Sequence, residues 1–598
     1  MSEYVAPLKE MQFVLRELVG LESIAALPGH EEVGEELAGA ILEEASKFAA
    51  GVLSPLNAVG DREGARWVDG EVRTAPGWKV AYDQFCAGGW HALSGSTEFG
   101  GQGLPRVVSS LAEEMWNGAN MAFAVGIMLT RGAIEALELC GSDDQKAMYL
   151  PRLVSGEWTG TMNLTEPQAG SDLSAVRSRA VPQPDGSYKV HGQKIFITYG
   201  EHDLTPNIVH LVLARTPGAP EGVKGISLFV VPKFLVNRDG SLGRRNDVRC
   251  VSIEHKLGIH ASPTAVLAFG DNEGATGWLI GKENHGLEYM FIMMNAARYS
   301  VGLEGVGLCE RAYQRARDYA RGRLQGVEPG GKSREKVAIV RHPDVRRMLL
   351  EMKSRTESLR VLASVVAEAM DVAHGNPDEE VRRERQAFVN LMIPVVKGWS
   401  TETSVHVASL GIQIHGGMGY IEETGAAQHL RDARITTIYE GTTGIQAADL
   451  IGRKITRDGG HAAKKVLQEM SAVQKQLKSM GAADHAALAT RLLAGISSLR
   501  LCVEFILDQN DSNPKAAAAC AVPMLELFGI VAGGWQMARA ALAAHSCLQQ
   551  DNSDAEFLQA KQLCARFYAD HVLSKAPALA DTILHGADAV LAYPEEQF

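Results

Sequence analysis

The sequence predicts an α+β protein with four parts in order: an N-terminal helical domain, a middle antiparallel β-barrel or sandwich, a C-terminal four-helix bundle and an additional C-terminal helical domain. Three observations predict this order. Apolar residues recur at helical spacing up to about residue 160, strand-like runs separated by turn residues fill 160–275, and long helical patterns return from 284 onwards. We therefore expect domains at 1–160, 161–283, 284–455 and 461–598.

The first part is helical in pattern. Residues 31–48 place apolar side chains at spacings of three and four, which is typical of an amphipathic helix. Residues 76–85 and 104–137 continue the pattern. The glycine-rich stretch between them, 95–105, could cradle a phosphate, but no Gly-Lys-Ser/Thr follows it. We interpret it as a connector.

The second part changes to strand-like runs. β-branched and aromatic residues dominate five short segments, and Asp-Gly or Pro-Gly pairs separate several of them. No pattern of helix length interrupts the runs, so the strands are expected to pair antiparallel. The predicted strands are 187–191, 194–198, 208–213, 226–231 and 264–269.

Long helices return in the rest of the chain. The segments 286–323, 343–374 and 400–414 favour a four-helix bundle. Residues 456–460 contain Asp-Gly-Gly and are interpreted as a linker. Four alanine-rich helices are predicted beyond the linker, at 462–480, 486–509, 516–549 and 555–591.

Composition excludes some classes of function. The chain has 598 residues and exceeds one compact core, with the 46% hydrophobic and 22% charged content of a globular protein. Its net charge of −12 argues against nucleic acid or an anionic membrane as the main partner. No apolar run is long enough to cross a bilayer, and the first residues lack the pattern of a signal peptide. We expect no membrane span.

The cysteines point to a reducing compartment. All eight are scattered, and no two form a Cys-x-x-Cys pair. This usage predicts reduced thiols rather than a disulfide framework or a zinc site. We expect a cytoplasmic protein that binds no metal.

The first candidate for chemistry is Glu440. It follows Ile438-Tyr439 and precedes Gly441, and Thr443-Gly-Ile-Gln446 fits a capping box that would begin a helix. Glu440 would then project from a tight turn with an apolar run behind it. Desolvation there would make its carboxylate a stronger base. The alternative is an ordinary surface glutamate in a loop.

The second candidate is the stretch 162–172 at the junction of the first helical part and the strands. Thr165 and Ser171 offer hydroxyls, and Gly170 allows a flat ligand to approach the backbone closely. Downstream, Phe196 and Thr198 lie two apart and so on one side of a strand. Together these groups could line one face and the edge of an aromatic cofactor.

Seven motifs follow one another across residues 30–453 in an order that is characteristic of a known family. They are 165–172 (Thr-Glu-Pro-Gln-Ala-Gly-Ser-Asp), 192–198 (Gly-Gln-Lys-Ile-Phe-Ile-Thr), 256–262, Arg298, 321–326, 413–419 and 431–442. This pattern resembles the acyl-CoA dehydrogenase family, flavoproteins that oxidise the α–β bond of acyl-CoA thioesters. The resemblance extends to a subgroup with an N-terminal extension and an additional C-terminal helical domain, which resembles bacterial long-chain fatty acyl-CoA dehydrogenases and 3-methylmercaptopropionyl-CoA dehydrogenases.

The resemblance implies a role for each matching position. Glu440 matches the catalytic base that removes the α-proton, and FAD is the implied cofactor. The implied FAD contacts are Met162, Leu164, Thr165, Gly170, Ser171, Phe196, Thr198, Arg323, Gln413, Gly417 and Thr442. The implied substrate contacts are Ser171, Arg298, Tyr439 and Gly441.

One position discriminates between two kinds of relative. Some members of the family take the base from the long helix, at the position beside the family's arginine. That position is Ala297 here, which leaves Glu440 without a rival. Three departures bear on FAD: the usual ring-stacking tryptophan is Phe196, Gly444 replaces a glutamine or glutamate, and Gly322-Arg323 leaves Arg321 as the alternative phosphate contact.

Each motif also has a simpler structural interpretation. Arg298 could be a surface residue of its helix. The glycines of 416–419 could be a helix C-cap. Met290, Met293 and Met294 are expected in the core rather than in a substrate tunnel. Glu166 is expected to hold its loop.

The resemblance implies FAD-dependent dehydrogenation of a medium- to long-chain fatty acyl-CoA to the trans-2-enoyl-CoA in fatty acid β-oxidation. Electrons would pass to an electron-transfer flavoprotein, and a homodimer is expected because the additional domain could occupy the surface that pairs dimers in tetrameric members. The alternatives are a 3-methylmercaptopropionyl-CoA dehydrogenase, a DNA-associated flavoprotein relative and an acyl-CoA oxidase.

Overall fold

The computed structural model describes residues 4–331, 334–481, 483–550 and 554–598. These residues form two compact units. The helical unit comprises 1–46, 105–114 and 301–598, and the mixed unit comprises 47–104 and 115–300. Two long helices, α6 (Arg106–Cys140) and α8 (Gly286–Gly322), contribute residues to both units.

Twelve strands lie in the mixed unit. They are β1 (Arg66–Val68), β2 (Glu71–Arg73), β3 (Thr159–Asn163), β4 (Arg179–Pro182), β5 (Tyr188–Thr198), β6 (Ile208–Ala214), β7 (Ser227–Pro232), β8 (Phe234–Val236), β9 (Leu242–Arg245), β10 (Val248–Ile253), β11 (Thr264–Phe269) and β12 (Ala275–Ile280). Two short hairpins, β1–β2 and β8–β9, stand apart from an eight-stranded sheet of order β10-β11-β5-β12-β7-β6-β3, in which β4 pairs with β5.

All described pairings of the sheet are antiparallel except one. Strand β3 pairs with β6 in parallel, with Thr159 opposite Ile208 and Asn163 opposite Val212. A parallel pair needs a long connection, and the chain supplies it by forming β4 and β5 between these two strands. The predicted antiparallel arrangement is therefore correct for the other pairs and wrong for this one.

The core of the mixed unit occupies both faces of the central strands. Every residue of β6 and β7 is buried. Leu211, Leu213 and Val230 belong to one apolar cluster, and Val212 and Phe229 belong to the other. This two-sided burial explains why these strands have continuous apolar runs rather than alternation. Met290 and Met293 lie in the first cluster, as expected for core residues.

The predicted strands match observed ones to within one residue at their starts, but the pattern missed eight strands. Strand β5 joins the two predicted runs 187–191 and 194–198. The missed strands are β1, β2, β3, β4, β8, β9 and β10, together with β12. They are short or carry charged and glycine residues, such as Arg249 in β10 and Gly277 in β12, which weaken the apolar pattern.

The helices α3 (Glu35–Phe48), α4 (Ser54–Glu63), α5 (Trp78–Ala87) and α7 (Asp143–Val154) complete the first part of the chain. Helix α6 is interrupted at Asn120, where φ is −161° and ψ is 87°. The Asn120 side chain replaces lost helical bonds, because its Nδ2 donates to the Leu53 carbonyl (3.3 Å) and its Oδ1 accepts from the Phe123 amide (3.2 Å).

The rest of the helical unit contains short N-terminal helices, a bundle and the additional helices. They are α1 (Leu8–Phe13), α2 (Leu21–Ala25), α9 (Pro343–Gly375), α10 (Glu379–His415), α11 (Ala426–Thr436), α12 (Thr443–Asp449), α13 (His461–Ser479), α14 (Ala483–Ser512), α15 (Pro514–Ala519), α16 (Ala521–Gln550), α17 (Ala555–His571), α18 (Ala576–His585) and α19 (Ala587–Ala592). Helix α10 begins at Glu379, 21 residues before the predicted 400–414, at an Asp378 cap whose carboxylate accepts from the Glu380 amide (2.8 Å).

The last two predicted helices are divided. The segment 516–549 breaks at Cys520 into α15 and α16, and 555–591 breaks into α17, α18 and α19. Pro577 lies in the first turn of α18, where its missing amide costs nothing, so it favours a new helix over a continuation. The uniform apolar pattern on either side of each break concealed all three breaks.

Two described helices, α14 and α16, are long and apolar enough to cross a membrane by length and composition alone. The apolar window of α16 is 83% buried inside the fold and that of α14 is 50% buried. Core helices have the same composition, so this finding is weak evidence for a span. A search for uninterrupted apolar runs did not identify these two helices, because small and polar residues divide their apolar runs.

Candidate active site

Glu440 lies in a turn between α11 and α12. Its φ is +52° and that of Gly441 is +87°, so two consecutive residues adopt the left-handed conformation. The Thr443 amide donates to the Thr437 carbonyl (3.0 Å) and closes the turn. A residue other than glycine pays about 1–2 kcal/mol for this conformation, which persists only where neighbouring groups fix it.

Two buried side chains fix the carbonyl groups of this turn. The Gln446 Nε2 donates to the carbonyls of Glu440 (3.1 Å) and Gly441 (3.2 Å). The Lys397 Nζ, on α10, donates to the Gly441 carbonyl (2.7 Å). A Cβ on Gly441 would lie 2.7 Å from the Gln446 amide nitrogen, so any other residue there would displace that amide. Glu440 itself is half-buried.

The predicted capping box is wrong by one residue. The N-cap of α12 is Thr442, whose Oγ1 accepts from the Ile445 amide (3.2 Å). Gln446 does not close a box, because its amide holds the carbonyls of the turn instead. The prediction of a turn immediately before a helix nevertheless agrees with the structure. Thr442, an implied FAD contact, therefore also caps the helix.

Tyr439 fixes the turn from its N-terminal side. Its hydroxyl donates to Glu304 Oε2 on α8. Burial and the neighbouring Glu304 carboxylate hold the pKa of Tyr439 above its usual range. Burial also raises the pKa of Glu304 to about 8; Glu113 and Glu440 add to the effect, and the Tyr439 hydrogen bond and Lys397 oppose it.

Sequence reasoning missed Glu304 and Lys397. Glu304 lies between Gly302 and Gly305, whose added Cβ atoms would meet Val396 and Ser400 of α10 at 2.5 and 2.8 Å. The two glycines therefore mark the face on which α8 packs closely against α10. Glu304 points away from that face, so no local pattern of the sequence identified it as buried.

In the mixed unit, the candidate flavin wall is a β-bulge. Ala265 of β11 pairs with Ile197, but Leu267 pairs with Lys194, so a single residue of β11 lies opposite two of β5. Phe196 sits in this bulge with a φ of +59° and is 59% exposed. Bulges re-aim side chains and occur often at functional sites. The ring is thus turned away from the core, and Thr198 is half-buried nearby on the same strand.

The stretch 162–172 is partly open. Met162 and Thr165 are half-buried, Leu164 is buried, and Gly170 and Ser171 are exposed. A Cβ added to Gly170 would meet no atom within 4 Å. The Ile195 amide donates to the Thr165 carbonyl (2.9 Å), which joins this stretch to the bulge strand. An exposed aromatic ring beside open backbone and hydroxyls fits the face and edge of a flavin.

Glu166 holds this loop together, as the sequence predicted. Its carboxylate accepts from Lys194 Nζ (2.8 Å) and from the amides of Arg177 (2.8 Å) and Ser178 (3.1 Å). Burial opposes its ionisation, but the Lys194 ammonium and these donors outweigh burial and lower the pKa of Glu166 to about 2. Glu166 is therefore a structural anion.

Arg298 is buried, with 3% of its surface exposed, so the alternative of a surface residue is wrong. It lies in the part of α8 that belongs to the mixed unit. Its neighbour Ala297 is 4% exposed and offers no carboxylate. The long helix therefore supplies no base at this position.

The remaining implied FAD contacts lie on the helical unit, where the ends of α8 and α10 meet. Tyr319 and His415 stack there with ring centroids 4.3 Å apart. Arg323 follows the last residue of α8 and is exposed, as is Arg321. Gln413, in the last turn of α10, and Gly417 are also exposed. Gly416 is the C-cap of α10 with a φ of +60°, so this glycine run does end the helix.

Comparison with known proteins gives the same order of parts. Models of the acyl-CoA dehydrogenase N-terminal, middle and C-terminal domains match residues 36–157, 161–272 and 284–456. A model described as acetyl-CoA dehydrogenase C-terminal like matches residues 466–594. The chain belongs to the acyl-CoA dehydrogenase family. It is an acyl-CoA dehydrogenase whose cofactor is FAD, and the C-terminal helices are the additional domain of its subgroup.

Individual members of the family are similar along nearly the whole chain. A 3-methylmercaptopropionyl-CoA dehydrogenase of Ruegeria pomeroyi is 50% identical over 98% of this chain and 99% of its own length. The broad-specificity linear acyl-CoA dehydrogenase FadE5 of Mycobacterium tuberculosis is 33% identical over 96% of each chain. An acyl-CoA dehydrogenase complexed with FAD from Bacillus anthracis shares the fold, with a TM-score of 0.73, 22% identity and coverage of 96% and 92%.

The polar groups of the site are suited to the ligands of this family. Among the described residues, no group of three or more histidine, cysteine, aspartate or glutamate side chains could hold a metal ion. The polar groups at the implied FAD contacts are hydroxyls, backbone groups, the Gln413 amide and the Arg323 guanidinium. These groups suit a flavin nucleotide and a CoA thioester.

Proposed function

We propose that Glu440 is the base that removes the α-proton of the acyl-CoA. The observation that carries this proposal is its conformation: a carboxylate at a φ of +52° whose turn is fixed by Gln446, Lys397 and Tyr439. A strained residue so thoroughly held is typical of a functional position. The absence of a carboxylate at Ala297 supports the same assignment.

The chemistry requires such a base. An α-proton beside a thioester is weakly acidic, so its removal needs a positioned carboxylate and hydrogen-bond donors to the thioester oxygen. Glu440 would accept the proton on its carboxylate, and its backbone amide is one of the donors that the family resemblance implies. Fixing the turn fixes both groups at once, because they belong to one residue.

Bound FAD supplies the acceptor for the hydride that leaves the β-carbon. We propose that Phe196 and Thr198 face the flavin ring together with Met162, Leu164 and Thr165. Gly170 and Ser171 would approach its edge. Arg323, Gln413 and Gly417 would contact the pyrophosphate and adenosine of FAD, supplied partly by a second subunit, as the family resemblance implies. Their exposure supports this role, since a large anionic ligand needs an open and cationic surface.

We propose 3-methylmercaptopropionyl-CoA as the main substrate. The support is the 50% identity over 98% of the chain to an enzyme named for that substrate. A second candidate is a linear fatty acyl-CoA, including the medium- to long-chain esters that the sequence favoured, in fatty acid β-oxidation. Its support is the 33% identity to a broad-specificity linear acyl-CoA dehydrogenase.

A substrate panel separates these candidates. The purified holoenzyme is assayed with a flavin-coupled dye on 3-methylmercaptopropionyl-CoA and on saturated esters from butyryl-CoA to stearoyl-CoA. The proposal predicts the highest kcat/KM for the thioether ester, above that of the linear ester of equal length. A maximum among the longer linear esters would favour the second candidate.

We further propose an electron-transfer flavoprotein as the electron acceptor, which the family resemblance implies. A homodimer in the cytoplasm is proposed with it. All eight cysteines are free thiols, which supports a reducing compartment. Slow reoxidation of the reduced enzyme in air, with fast reoxidation by an electron-transfer flavoprotein, would support this acceptor over oxygen. Fast reoxidation in air would support an acyl-CoA oxidase instead.

A further inference from the structure

A second buried carboxyl lies beside the proposed base. Glu304 is 1% exposed and lies on α8, where its carboxyl meets the Tyr439 hydroxyl. It contacts the Tyr439 side chain, although it precedes Tyr439 by 135 residues in sequence. Nothing in the dehydrogenation chemistry described above uses it. A buried carboxyl costs several kcal/mol unless its partners compensate, so its presence calls for a reason.

The groups that act on Glu304 come from several elements. Its Oε2 accepts from the Tyr439 hydroxyl. Glu440 faces it from the same turn, Glu113 faces it from α6, and Lys397 faces it from α10. Asp432 of α11 faces Tyr439 in turn. Among the described residues, none donates a hydrogen bond to Glu304 Oε1.

We propose that Glu304 is a positioning residue for Glu440: it anchors the Tyr439 hydroxyl and thereby fixes the turn from which the base projects. This inference rests on the proposed role of Glu440. The turn is thus held from both sides. Gln446 and Lys397 fix the carbonyls that follow the base, and Glu304 fixes the side chain that precedes it. The Glu304 carboxyl, unlike the Gln446 amide, can change its charge with pH.

The charge of Glu304 bears on the proton transfer. Below about pH 8 it is protonated and neutral, in line with its raised pKa. Above that pH it becomes an anion near the Glu440 carboxylate. Proton uptake by Glu440 then relieves the repulsion between two anions, so the transfer becomes more favourable. The rate constant of flavin reduction is therefore expected to rise as pH passes about 8.

Three variants separate positioning from bulk structure. Glu304→Gln keeps the size of the side chain and an acceptor for Tyr439 but removes the titration. Glu304→Leu and Tyr439→Phe each remove one half of the hydrogen bond. Each holoenzyme is checked for FAD content and thermal unfolding, and its flavin is reduced by acyl-CoA under anaerobic stopped flow across the pH range. Glu440→Gln is measured in parallel.

The expected result has two parts. Glu304→Leu and Tyr439→Phe lower the flavin reduction rate about tenfold to a hundredfold with little change in KM, and the double variant is no slower than the slower single one. Glu304→Gln retains a rate near that of the parent at neutral pH but loses the rise near pH 8. A purely structural role for Glu304 would leave the pH profile of Glu304→Gln unchanged.

The inference is overturned if Glu304→Gln keeps the parent's pH profile, or if Tyr439→Phe reduces flavin at the parent's rate. These results remain decisive if Glu304→Leu does not fold. The Glu440→Gln variant separates a failure of the proposed base from a failure of the proposed positioning role. Normal flavin reduction in Glu440→Gln contradicts the proposed base itself, whereas an inactive Glu440→Gln beside unaffected Glu304 variants contradicts only the positioning role.

Discussion

Lys397 Nζ donates a hydrogen bond of 2.7 Å to the carbonyl oxygen of Gly441, the residue that follows Glu440. Lys397 is fully buried on α10. A buried cation beside the turn of the base does two things: it satisfies a carbonyl in strained backbone, and it opposes the accumulation of negative charge from Glu304 and Glu440.

Replacement of Lys397 by methionine should therefore affect both rate and pH dependence. It leaves the Gly441 carbonyl with the Gln446 amide as its only remaining described side-chain donor, at a cost of about 1–3 kcal/mol in the free energy of unfolding. Loss of the cation should also move the rise in flavin reduction to a pH above about 8, because Lys397 lowers the pKa of Glu304. Stopped-flow pH profiles and urea unfolding measure the two effects. Lys478→Met, at an exposed lysine, is the matched control and should change neither.

The exposed ring of Phe196 makes a separate prediction. Phe196→Ala should weaken FAD binding about tenfold, because stacking of a ring system on an aromatic side chain contributes about 1–3 kcal/mol. The unfolding of the FAD-free protein should change little, since the ring is 59% exposed. FAD titration by fluorescence measures the affinity. Phe598→Ala, at a ring 92% exposed, should leave FAD affinity unaltered. Equal affinity in Phe196→Ala would remove Phe196 from the flavin site.

The ion pair of Glu166 and Lys194 should control the stability of the flavin loop. Glu166→Gln leaves the Lys194 ammonium buried without its anion, so the free energy of unfolding should fall by about 3–5 kcal/mol. Glu221→Gln, at an exposed glutamate, should change it by less than about 0.5 kcal/mol. Unfolding of both variants by urea gives the comparison, and a loss as small as that of the control would contradict the role of this pair.

The same pair sets a pH dependence with a definite sign. The pKa of Glu166 is lowered from 4.5 to about 2, so the folded state binds fewer protons than the unfolded state between these values. Its stabilisation is fully present above about pH 4.5 and is lost as pH falls toward 2. The parent should therefore lose stability in this window, and Glu166→Gln should lose less.

The buried ammonium of Lys561 links the N-terminal helix α1 to the additional domain. It is 2% exposed on α17 and pairs with Glu357 of α9 (2.8 Å) and with Glu10 of α1. Lys561→Met should lower the free energy of unfolding by about 3–5 kcal/mol. It should also expose α1 to proteolysis, because one cation joins three helices. Proteolysis followed by mass spectrometry tests this, and an unchanged cleavage pattern would contradict it.

The sequence predicted those features that depend on neighbours in the chain. The turn at Glu440 followed from its glycine and from the apolar run before it, and the order of helical and strand parts followed from periodicity. The cap of α12 was misassigned because Thr442 and Thr443 have equal capping ability. Tertiary contacts decided between them, since Gln446 holds the turn.

Features that depend on distant pairings were not predictable. The bulge that turns Phe196 outward arises from the register of β5 against β11, which are separated in sequence by more than sixty residues. Glu304 and Lys397 meet the turn at Glu440 from 135 and 44 residues away. Local patterns contain no information on such partners. The parallel pairing of β3 with β6 was not predicted for the same reason.

The most direct test of the account is the anaerobic reduction of FAD by acyl-CoA in Glu440→Gln. The variant keeps the size of the side chain, and we predict a parent-like content of bound FAD with flavin reduction slowed by about 10²–10⁴-fold or more, the usual contribution of a general base. Flavin reduction in Glu440→Gln at a rate near that of the parent would contradict the assignment of Glu440 as the base.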